Sequence, residues 1–242
     1  MISSSKSLSN KVVVITGATG GLGRTVSQKF ADIGAKLVLV GTNLDRLDSL
    51  GDSLGIPAEQ WLAVAANLVE KDAAEKLLDT VITKYGRVDI LLHLVGGWMG
   101  GKPLAQVTDD DVGRMLDQHV WTTFFISQAF VPRLVKNKWG RIVIVSSPNA
   151  DLPPANGLPY SVAKSGQESL ILTLAEELKG SGVTANILRV RSINLDPVDD
   201  RNSSTKIRGW TTPEEITSAI TYLCSDEAAN VNGARIPLYG GP

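Results

Sequence analysis

Ser147, Tyr160 and Lys164 have residue types and a spacing that suit the transfer of a proton to or from an oxygen atom. Tyr160 and Lys164 are four positions apart in a predicted helix, so both side chains lie on one face of it. A nearby ammonium group stabilises a phenolate and lowers the pKa of the tyrosine, which then exchanges a proton more readily near neutral pH. Ser147 ends an apolar run, where its hydroxyl can hydrogen-bond the reacting oxygen. The Tyr-Lys spacing alone is also common on solvated helix faces, so its weight depends on the surrounding motifs.

A glycine-rich turn, TGATGGLG at residues 16–23, follows the first apolar run and opens a helix. Gly17 lets the chain turn, Gly21 lets the backbone approach a pyrophosphate, and Gly23 lets the helix pack on the sheet. The amide groups at the start of the helix face the negative charge of such a ligand. A glycine pattern is weak evidence by itself, but its place between a strand and a helix favours dinucleotide binding over a purely structural turn.

Apolar, largely β-branched runs recur along the chain, with amphipathic helical stretches between several of them. Because these runs are mostly apolar throughout rather than alternating, they predict parallel strands that are covered on both faces. The alternation predicts a doubly wound Rossmann fold of the α/β class, with a single parallel sheet of about seven strands and helices on both faces. Ligands of such a fold bind beyond the carboxyl ends of the strands. The predicted strands are 11–16, 35–40, 61–67, 88–95, 140–147, 183–190 and 234–239, and the predicted helices include 24–34, 70–86, 161–180 and 212–228.

Length and composition indicate one globular domain of ordinary charge. The 242 residues are 43% hydrophobic and 20% charged with a formal net charge of −1, which gives no reason to expect nucleic acid or an anionic membrane as partner. The single cysteine, Cys224, excludes an internal disulfide and, with two histidines, leaves too few ligands for a structural zinc cluster, so no metal is expected. Residues 1–10 lack the apolar core of a secretory signal and are expected to form a flexible tail. Residues 11–242 are then the single domain, and the cytoplasm is the expected compartment.

The glycine turn, the YSVAK segment and a serine thirteen positions before its tyrosine occur in one chain. In these motifs the chain resembles the short-chain dehydrogenase/reductase family, with its TGxxxGxG turn and YxxxK pair, and the likeness runs over residues 11–241. The resemblance implies an NAD(P)-dependent oxidoreductase, such as a carbonyl reductase, that moves hydride between a nicotinamide cofactor and a small carbonyl compound or secondary alcohol. It implies that Tyr160 is the acid or base at the carbonyl oxygen, that Lys164 binds the nicotinamide ribose and tunes Tyr160, and that Ser147 orients the carbonyl. Such proteins are commonly dimers or tetramers, so a homo-oligomer is expected.

The resemblance places the rest of the cofactor along the carboxyl ends of the strands. After the second strand the chain reads Gly41-Thr42-Asn43, with no acid to repel a ribose phosphate and no adjacent base to attract one. The hydroxyl and amide of Thr42 and Asn43 favour NADP, and NAD remains the alternative. Asn67 either faces the adenine or is a turn residue. The expected cofactor-binding residues are Gly17, Thr19, Gly21, Leu22, Gly23, Thr42, Asn43, Asn67, Leu68, Val95, Gly96, Tyr160, Lys164, Val190 and Ile193.

Three places depart from the family pattern. His93-Leu94-Val95-Gly96 stands where the family has NNAG, and Val190-Arg191 replaces a PG pair after the sixth strand. His119 matches a family asparagine that supports a water-linked proton path to the lysine. Because histidine also relays protons near neutral pH, His119 is a candidate catalytic residue, and the alternative is a merely packed side chain.

The segment at residues 192–210, which covers the substrate in the family, is short and strongly polar here. A short cover suits an open pocket or a small substrate. Arg191 and Arg208 either meet an anionic substrate or are simply solvated.

The segment HLVGGWMGG, residues 93–101, follows a strand that should end at the cofactor. Its glycines let the backbone pass close to the nicotinamide, so it is predicted to form a wall of the substrate pocket. It resembles the GGWxGG stretch of quinonoid dihydropteridine reductases, and an indole beside the cofactor can stack on a flat heterocycle. Reduction of a pterin or another heterocycle is therefore one alternative function, and a cofactor-binding sensor without turnover is another; Trp98 has the simpler interpretation of a hydrophobic cap on the loop. The expected substrate-binding residues are Gly97, Trp98, Ser147, Asn149 and Tyr160.

Overall fold

The computed structural model describes residues 8–195 and 210–240. Residues 1–7 of the expected tail and most of the polar segment, including Arg208, lie outside the described residues. Leu8 is fully buried in the core, and the Asn10 N–H donates a hydrogen bond to the Gly34 carbonyl. The described chain thus joins the fold before Lys11, and residues 8–10 belong to the domain rather than to a flexible tail.

The predicted apolar runs form a seven-stranded parallel sheet, which confirms the predicted fold class. The strands of the described chain are β1 (Val12–Thr16), β2 (Lys36–Gly41), β3 (Trp61–Ala65), β4 (Ile90–His93), β5 (Gly140–Ser146), β6 (Val183–Val190), β7 (Ser192–Ile193), β8 (Trp210–Thr211) and β9 (Arg235–Leu238). The order in the main sheet is β3-β2-β1-β4-β5-β6-β9, while β7 and β8 pair separately. Every neighbouring pair in the main sheet is parallel.

Helices cover both faces of this sheet. They are α1 (Gly21–Ile33), α2 (Leu44–Ser53), α3 (Ala73–Tyr85), α4 (Asp109–Leu116), α5 (Thr122–Lys136), α6 (Leu158–Glu177) and α7 (Pro213–Cys224). One hydrophobic cluster packs between the sheet and α1, α2 and α7, and a second packs between the sheet and α3, α5 and α6. Burial on both faces explains why the strands are apolar along their whole length. Within the described ranges, no helix combines the length and the apolar character that crossing a bilayer requires.

The starts of the last two helices follow from their first residues. The Thr212 side chain accepts a hydrogen bond from the Glu215 N–H, and the Glu215 carboxylate accepts one from the Thr212 N–H, so the pair forms a capping box at α7. Helix α6 begins at Leu158, earlier than expected, with Pro159 in its first turn. Tyr160 therefore lies in the first turn of α6.

The strand order reverses between β1 and β4, because β2 continues the sheet beyond β1 and β5 continues it beyond β4. A crevice opens outside the carboxyl ends of two such strands, and doubly wound sheets bind their ligands there. Thr16 and His93 are register partners at this edge. The fold thus places the glycine turn and the 93–101 segment on two sides of one crevice.

Candidate active site

The glycine turn has a conformation that excludes side chains. Gly17 has φ +70°, and a Cβ there would lie 2.9 Å from the Leu94 carbonyl oxygen. A Cβ at Gly23 would lie 2.3 Å from the Gly17 carbonyl oxygen, so Gly23 lets α1 start against the turn itself rather than against the face of the sheet. The Gly20 N–H donates to the Gly17 carbonyl at 3.0 Å and closes the turn.

Two adjoining cavities form one groove along the carboxyl edge of the sheet. The first cavity, of ≈ 610 Å³, extends from the glycine turn to Thr42 and Asn67, and the second, of ≈ 350 Å³, extends from the turn to Tyr160 and Lys164. An elongated groove with a glycine turn near its middle fits a dinucleotide whose pyrophosphate lies at the turn. Residues that line both cavities are Gly17, Gly20, Leu94, Val95 and Gly96.

The far end of the first cavity is lined by Thr42, Asn67 and Leu68, but not by Asn43. Asn43 instead caps α2, because its side chain accepts a hydrogen bond at 2.9 Å from the backbone N–H three residues later. Asn67 also stabilises the turn in which it lies, because its Nδ2 donates a hydrogen bond to Glu70 Oε1 at 3.2 Å. Both alternatives for Asn67 are therefore compatible with its position.

Tyr160, Lys164 and Ser147 come together at the carboxyl end of β5. The Ser147 side chain acts on the Tyr160 phenol and lowers its pKa, and Lys164 Nζ lies 5.8 Å from the centroid of the Tyr160 ring. Lys164 is buried, and its Nζ donates to the Val145 carbonyl oxygen at 2.9 Å and to Gln167 Oε1 at 2.8 Å. Because an ammonium group has three N–H donors, one remains for a ligand.

The pKa values of Tyr160 and Lys164 differ from what their spacing led us to expect. Burial raises the pKa of Tyr160, and the side chain of Ser147 opposes that rise. Burial lowers the pKa of Lys164 to about 7, with the negative charge of Glu168 acting in the opposite direction. The expected depression of the Tyr160 pKa is therefore wrong for the chain by itself. The reason is that both groups are desolvated together, and desolvation disfavours the charged form of each.

His119 is buried beside Tyr160 in a five-residue π-helical segment, Asp117–Trp121, that joins α4 to α5. The two rings meet edge to face with centroids 5.5 Å apart. His119 Nε2 lies 3.0 Å from the Gly97 carbonyl oxygen, so Nε2 carries the hydrogen, and the buried Nδ1 has no partner among the described residues. Burial and the charge of Lys164 lower the His119 pKa to about 3. The neutral imidazole is therefore the favoured form at neutral pH, and a catalytic role for His119 stays a prediction.

His93 connects two threonines at the floor of the groove by hydrogen bonds, a role that the sequence did not indicate. It is buried between two threonines, with Nδ1 2.8 Å from Thr16 Oγ1 and Nε2 3.2 Å from Thr122 Oγ1. The Thr122 hydroxyl donates to the Gln118 carbonyl, so it accepts from Nε2–H of His93, while Nδ1 accepts from Thr16. Burial lowers the pKa of His93 to about 3. The only sequence signal was a polar residue at the end of an apolar strand.

Gln167 is a second residue that sequence reasoning missed. Its Oε1 accepts from Lys164, and its Nε2 donates to Thr123 Oγ1 at 2.9 Å. The Thr123 hydroxyl donates in turn to the His119 carbonyl at 2.6 Å. Gln167 thereby ties the lysine to the π segment, although in the sequence it is an ordinary helix residue.

The 93–101 segment forms one wall of the second cavity, through Gly96, Gly97 and Trp98. The Gln118 Nε2 donates to the Gly96 carbonyl at 3.0 Å, and a Cβ at Gly97 would lie 2.7 Å from the Gln118 amide. Trp98 packs on Gly100 but remains 65% exposed, so it covers little apolar surface. Contact of this wall with a substrate stays a prediction.

The remaining candidates separate into those that line the groove and those that do not. Asn149 does not line it, and its N–H donates to Ser147 Oγ at 3.3 Å. Ser147 also lies outside the lining, although it is near enough to Tyr160, which lines the second cavity, to lower the pKa of its phenol. Leu195 packs across the turn, since a Cβ at Gly21 would lie 2.3 Å from its Cδ2. Thr19 lines the first cavity. Other candidates that line the second cavity are Gly21, Leu22, Gly23, His119, Val190 and Ile193.

Over the described part of the chain, no group of three His, Cys, Asp or Glu side chains is placed to hold a metal ion. Cys224 is fully buried, and burial raises the pKa of its thiol to about 12. A thiol in that setting is inert as a nucleophile.

Comparisons with known proteins agree with the motifs. A family model described as short chain dehydrogenase matches residues 11–204. Meso-2,3-butanediol dehydrogenase of Serratia marcescens is 31% identical over 240 residues, with 96% of this chain and 94% of that protein covered. The 1,6-dihydroxycyclohexa-2,4-diene-1-carboxylate dehydrogenase of Acinetobacter baylyi is 26% identical, with 99% of each chain covered. A crystal structure of a short chain dehydrogenase from Bacillus anthracis superposes with a TM-score of 0.85 at 27% identity, covering 97% of each chain.

Proposed function

Because this chain belongs to the short-chain dehydrogenase/reductase family, we propose that it transfers hydride between NADP or NAD and a small ketone or secondary alcohol, with Tyr160 as acid and base. The chain is an oxidoreductase that acts on alcohol or carbonyl substrates. The observation that carries the finer proposal is the meeting of Tyr160, Lys164 and Ser147 at one end of a groove whose middle is a glycine turn. Ketone reduction is the favoured direction.

The groove fits a dinucleotide by an observation independent of the family. Side chains are excluded at Gly17 and Gly23 by backbone atoms of the turn and of Leu94, and the two cavities extend from the turn in both directions. The amides at the start of α1 would hold the pyrophosphate, and the remaining N–H of Lys164 would hold the nicotinamide ribose. When bound, the nicotinamide supplies or accepts the hydride.

The side chains of this protein then carry out the proton transfer. In reduction, Tyr160 Oη gives its proton to the carbonyl oxygen, and the Ser147 hydroxyl hydrogen-bonds the same oxygen and fixes its direction. The Lys164 ammonium stabilises the phenolate left on Tyr160. His119 packs on the Tyr160 ring and holds it in place from the π segment. In oxidation the proton moves in the reverse direction.

NADP is favoured over NAD at the far end of the first cavity. The Thr42 hydroxyl lies at this end of the cavity. The carboxylate of Asp117 also lines the cavity, but Asp117 belongs to the π segment and not to the end of β2. A ribose phosphate therefore meets a donor and no acid from β2. Values of kcat/KM for NADPH and NADH with one ketone test this choice: a preference for NADPH supports it, and a preference for NADH contradicts it.

Reduction of a pterin or a related flat heterocycle is the second candidate, favoured by one observation. Trp98 lines the second cavity with its indole 65% exposed, so the ring is free to stack on a planar substrate. A quinonoid dihydropterin assayed beside simple ketones separates the two candidates, because the pterin would be turned over far faster than any ketone if this candidate were right.

A carbonyl panel with both reduced cofactors tests the proposed function as a whole. Turnover of a ketone together with saturable cofactor binding is the expected result. Tight cofactor binding without turnover of any ketone or pterin would instead identify a cofactor-binding sensor.

A homo-oligomer in the cytoplasm is part of the same proposal. An outward-facing cavity of ≈ 430 Å³ between α5 and α6 is lined by apolar side chains such as Phe124, Val131 and Leu170 together with polar ones such as Gln128. Covering this face by a second copy would remove apolar surface from water. Light scattering during size-exclusion chromatography should give the mass of a dimer or tetramer, and a monomer would contradict the proposal.

A further inference from the structure

Arg191 is an exposed cation at the substrate end of the groove. It lines the second cavity together with Lys164, which is buried and already donates two hydrogen bonds. No aspartate or glutamate is among the described residues that line this cavity. Arg191 is therefore a cation with no counterion among the described residues that line this cavity.

Arg191 directly follows β6 and borders the same cavity as the start of the catalytic helix. Arg189, two positions earlier, lies on the face of the sheet that α6 covers, and Val190 lies in the core on the opposite face with α7. Arg191 is the bend residue between β6 and β7, and it lines the second cavity together with Tyr160 on α6. Its guanidinium lies 5.6 Å from the centroid of the Tyr239 ring, a cation–π contact that restricts its direction.

Arg191 differs from Arg189 in its partners. Arg189 forms ion pairs with Glu168 and Asp151 and is saturated by them. Arg191 forms no ion pair with a carboxylate in residues 8–195 or 210–240. Its planar fork of five N–H donors matches the two oxygens of a carboxylate.

We propose that Arg191 binds an anionic group of the substrate, namely a carboxylate, and makes the enzyme selective for hydroxy acids or oxo acids over their uncharged counterparts. The inference rests on the proposed function, because it concerns the molecule whose oxygen meets Tyr160. Both residues border one cavity of ≈ 350 Å³, so the carboxylate and the reacting carbon belong to one small molecule.

A binding experiment tests this without any turnover. Benzoate and benzamide have nearly the same shape and differ in charge, and calorimetry measures their affinity for the protein with and without saturating NADP+. Benzoate should bind at least about tenfold more tightly than benzamide, and Arg191→Gln should weaken benzoate by roughly ten- to hundredfold while leaving benzamide unchanged. Arg191→Lys should lie between the two, because it keeps the charge but loses the fork.

Lys29→Gln is the matched control, because Lys29 is an exposed cation on α1 that lines neither cavity of the groove. Its affinity for benzoate should equal that of the wild type. Equal binding of benzoate and benzamide by the wild type would overturn the proposal, and so would an equal loss of both in Arg191→Gln. A large loss of NADP+ affinity in Arg191→Gln would also overturn it, because Arg191 would then serve the pyrophosphate of the cofactor.

Kinetics separate a failure of this inference from a failure of the proposed function. A panel of 3-oxo acids, each with its methyl ester, is assayed with both reduced cofactors. Arg191→Gln should raise KM for the acids about tenfold or more, leave kcat nearly unchanged and leave the esters unaffected, as expected when uniform binding is lost. Turnover of acids and esters with the same KM would contradict the role of Arg191 alone. Absence of turnover on every compound would contradict the proposed function, and the binding experiment would still decide on Arg191.

Discussion

Tyr160 is partly buried beside the fully buried Lys164, and desolvation shifts the pKa of both side chains. Burial raises the pKa of the phenol and lowers that of the ammonium to about 7. The side chain of Ser147 favours the phenolate of Tyr160, and Glu168 favours the ammonium of Lys164 through its charge. Besides burial, Ser147 and Glu168 therefore adjust the pKa values of Tyr160 and Lys164. Of these four residues, only Glu168 lies outside the family motifs.

A single Cβ should disable the glycine turn. Gly17→Ala would place that atom 2.9 Å from the Leu94 carbonyl oxygen at a φ of +70°. The left-handed conformation alone costs about 1–2 kcal/mol, and the close contact adds to it, so both the free energy of unfolding and the affinity for the cofactor should fall.

Gly55→Ala is the control for this change. Gly55 has nearly the same φ, +68°, with nothing within 4 Å of the added atom. Urea unfolding should show a smaller loss for Gly55→Ala, and its cofactor affinity should be that of the wild type. Equal losses in the two variants would show that the contact with Leu94 has no effect.

At the scale of elements, a group of charges fixes the loop after β5 to its neighbours. Arg189 on β6 donates to Glu168 on α6 at 2.9 Å and forms an ion pair with Asp151, which follows the Ser147 loop. Arg189 and Glu168 are buried, whereas Asp151 is half exposed. The same contacts therefore join the strand, the catalytic helix and the loop that carries the serine.

Arg189→Met should be strongly destabilising. It leaves the Glu168 carboxylate buried without its main partner, and breaking a buried pair in this way costs about 3–5 kcal/mol. Arg235→Met is the matched control, because Arg235 is 43% exposed and approaches the same carboxylates only at 3.4 and 3.8 Å; its loss should stay below about 1 kcal/mol. Similar unfolding free energies for the two variants would contradict the importance of burial here.

The elements of this fold differ in how far the sequence determines them. Strands β1, β4 and β5 were predictable because their residues are apolar on both faces, and α7 was predictable because Thr212 and Pro213 mark its start. Helix α2 was not, since Gly51 in its interior weakens the helix signal; a Cβ there would lie 2.3 Å from the Trp61 ring, a contact that only the tertiary structure reveals.

The residues of the site also differ in how far the sequence determines their positions. Tyr160 and Lys164 share a face by their spacing alone, whereas the bonds of His93 to Thr16 and Thr122 join residues far apart in sequence. Asn43 was expected at the ribose because of its position after β2, and it caps α2 instead. Such partners depend on how the elements pack, which local pattern does not determine.

At the scale of the whole molecule, two buried neutral histidines should make stability depend on pH. The pKa of His93 and that of His119 are each lowered from 6.5 to about 3, with burial as the main cause. Between these values the unfolded chain binds protons that the folded chain does not. The resulting stabilisation is fully present above about pH 6.5 and is lost as the pH falls, by up to about 1.4 kcal/mol per pH unit for each histidine.

His93→Gln should flatten this dependence. Urea unfolding of the variant and the wild type between about pH 5 and 7.5 gives the two slopes, and the variant should lose less stability on acidification because one titrating group is gone. The difference between the slopes isolates the histidine from the carboxylates that titrate in both proteins. Parallel curves would contradict a buried neutral His93.

The most direct test of the account is the turnover of Tyr160→Phe. The variant keeps the aromatic ring against His119 but has no proton to give, so kcat for a ketone should fall about 10²- to 10⁴-fold, far more than the affinity for the cofactor. Tyr222→Phe removes a hydroxyl from a residue 50% exposed on α7 and should leave kcat unchanged. A Tyr160→Phe variant with the kcat of the wild type would contradict the assignment of Tyr160 as the acid.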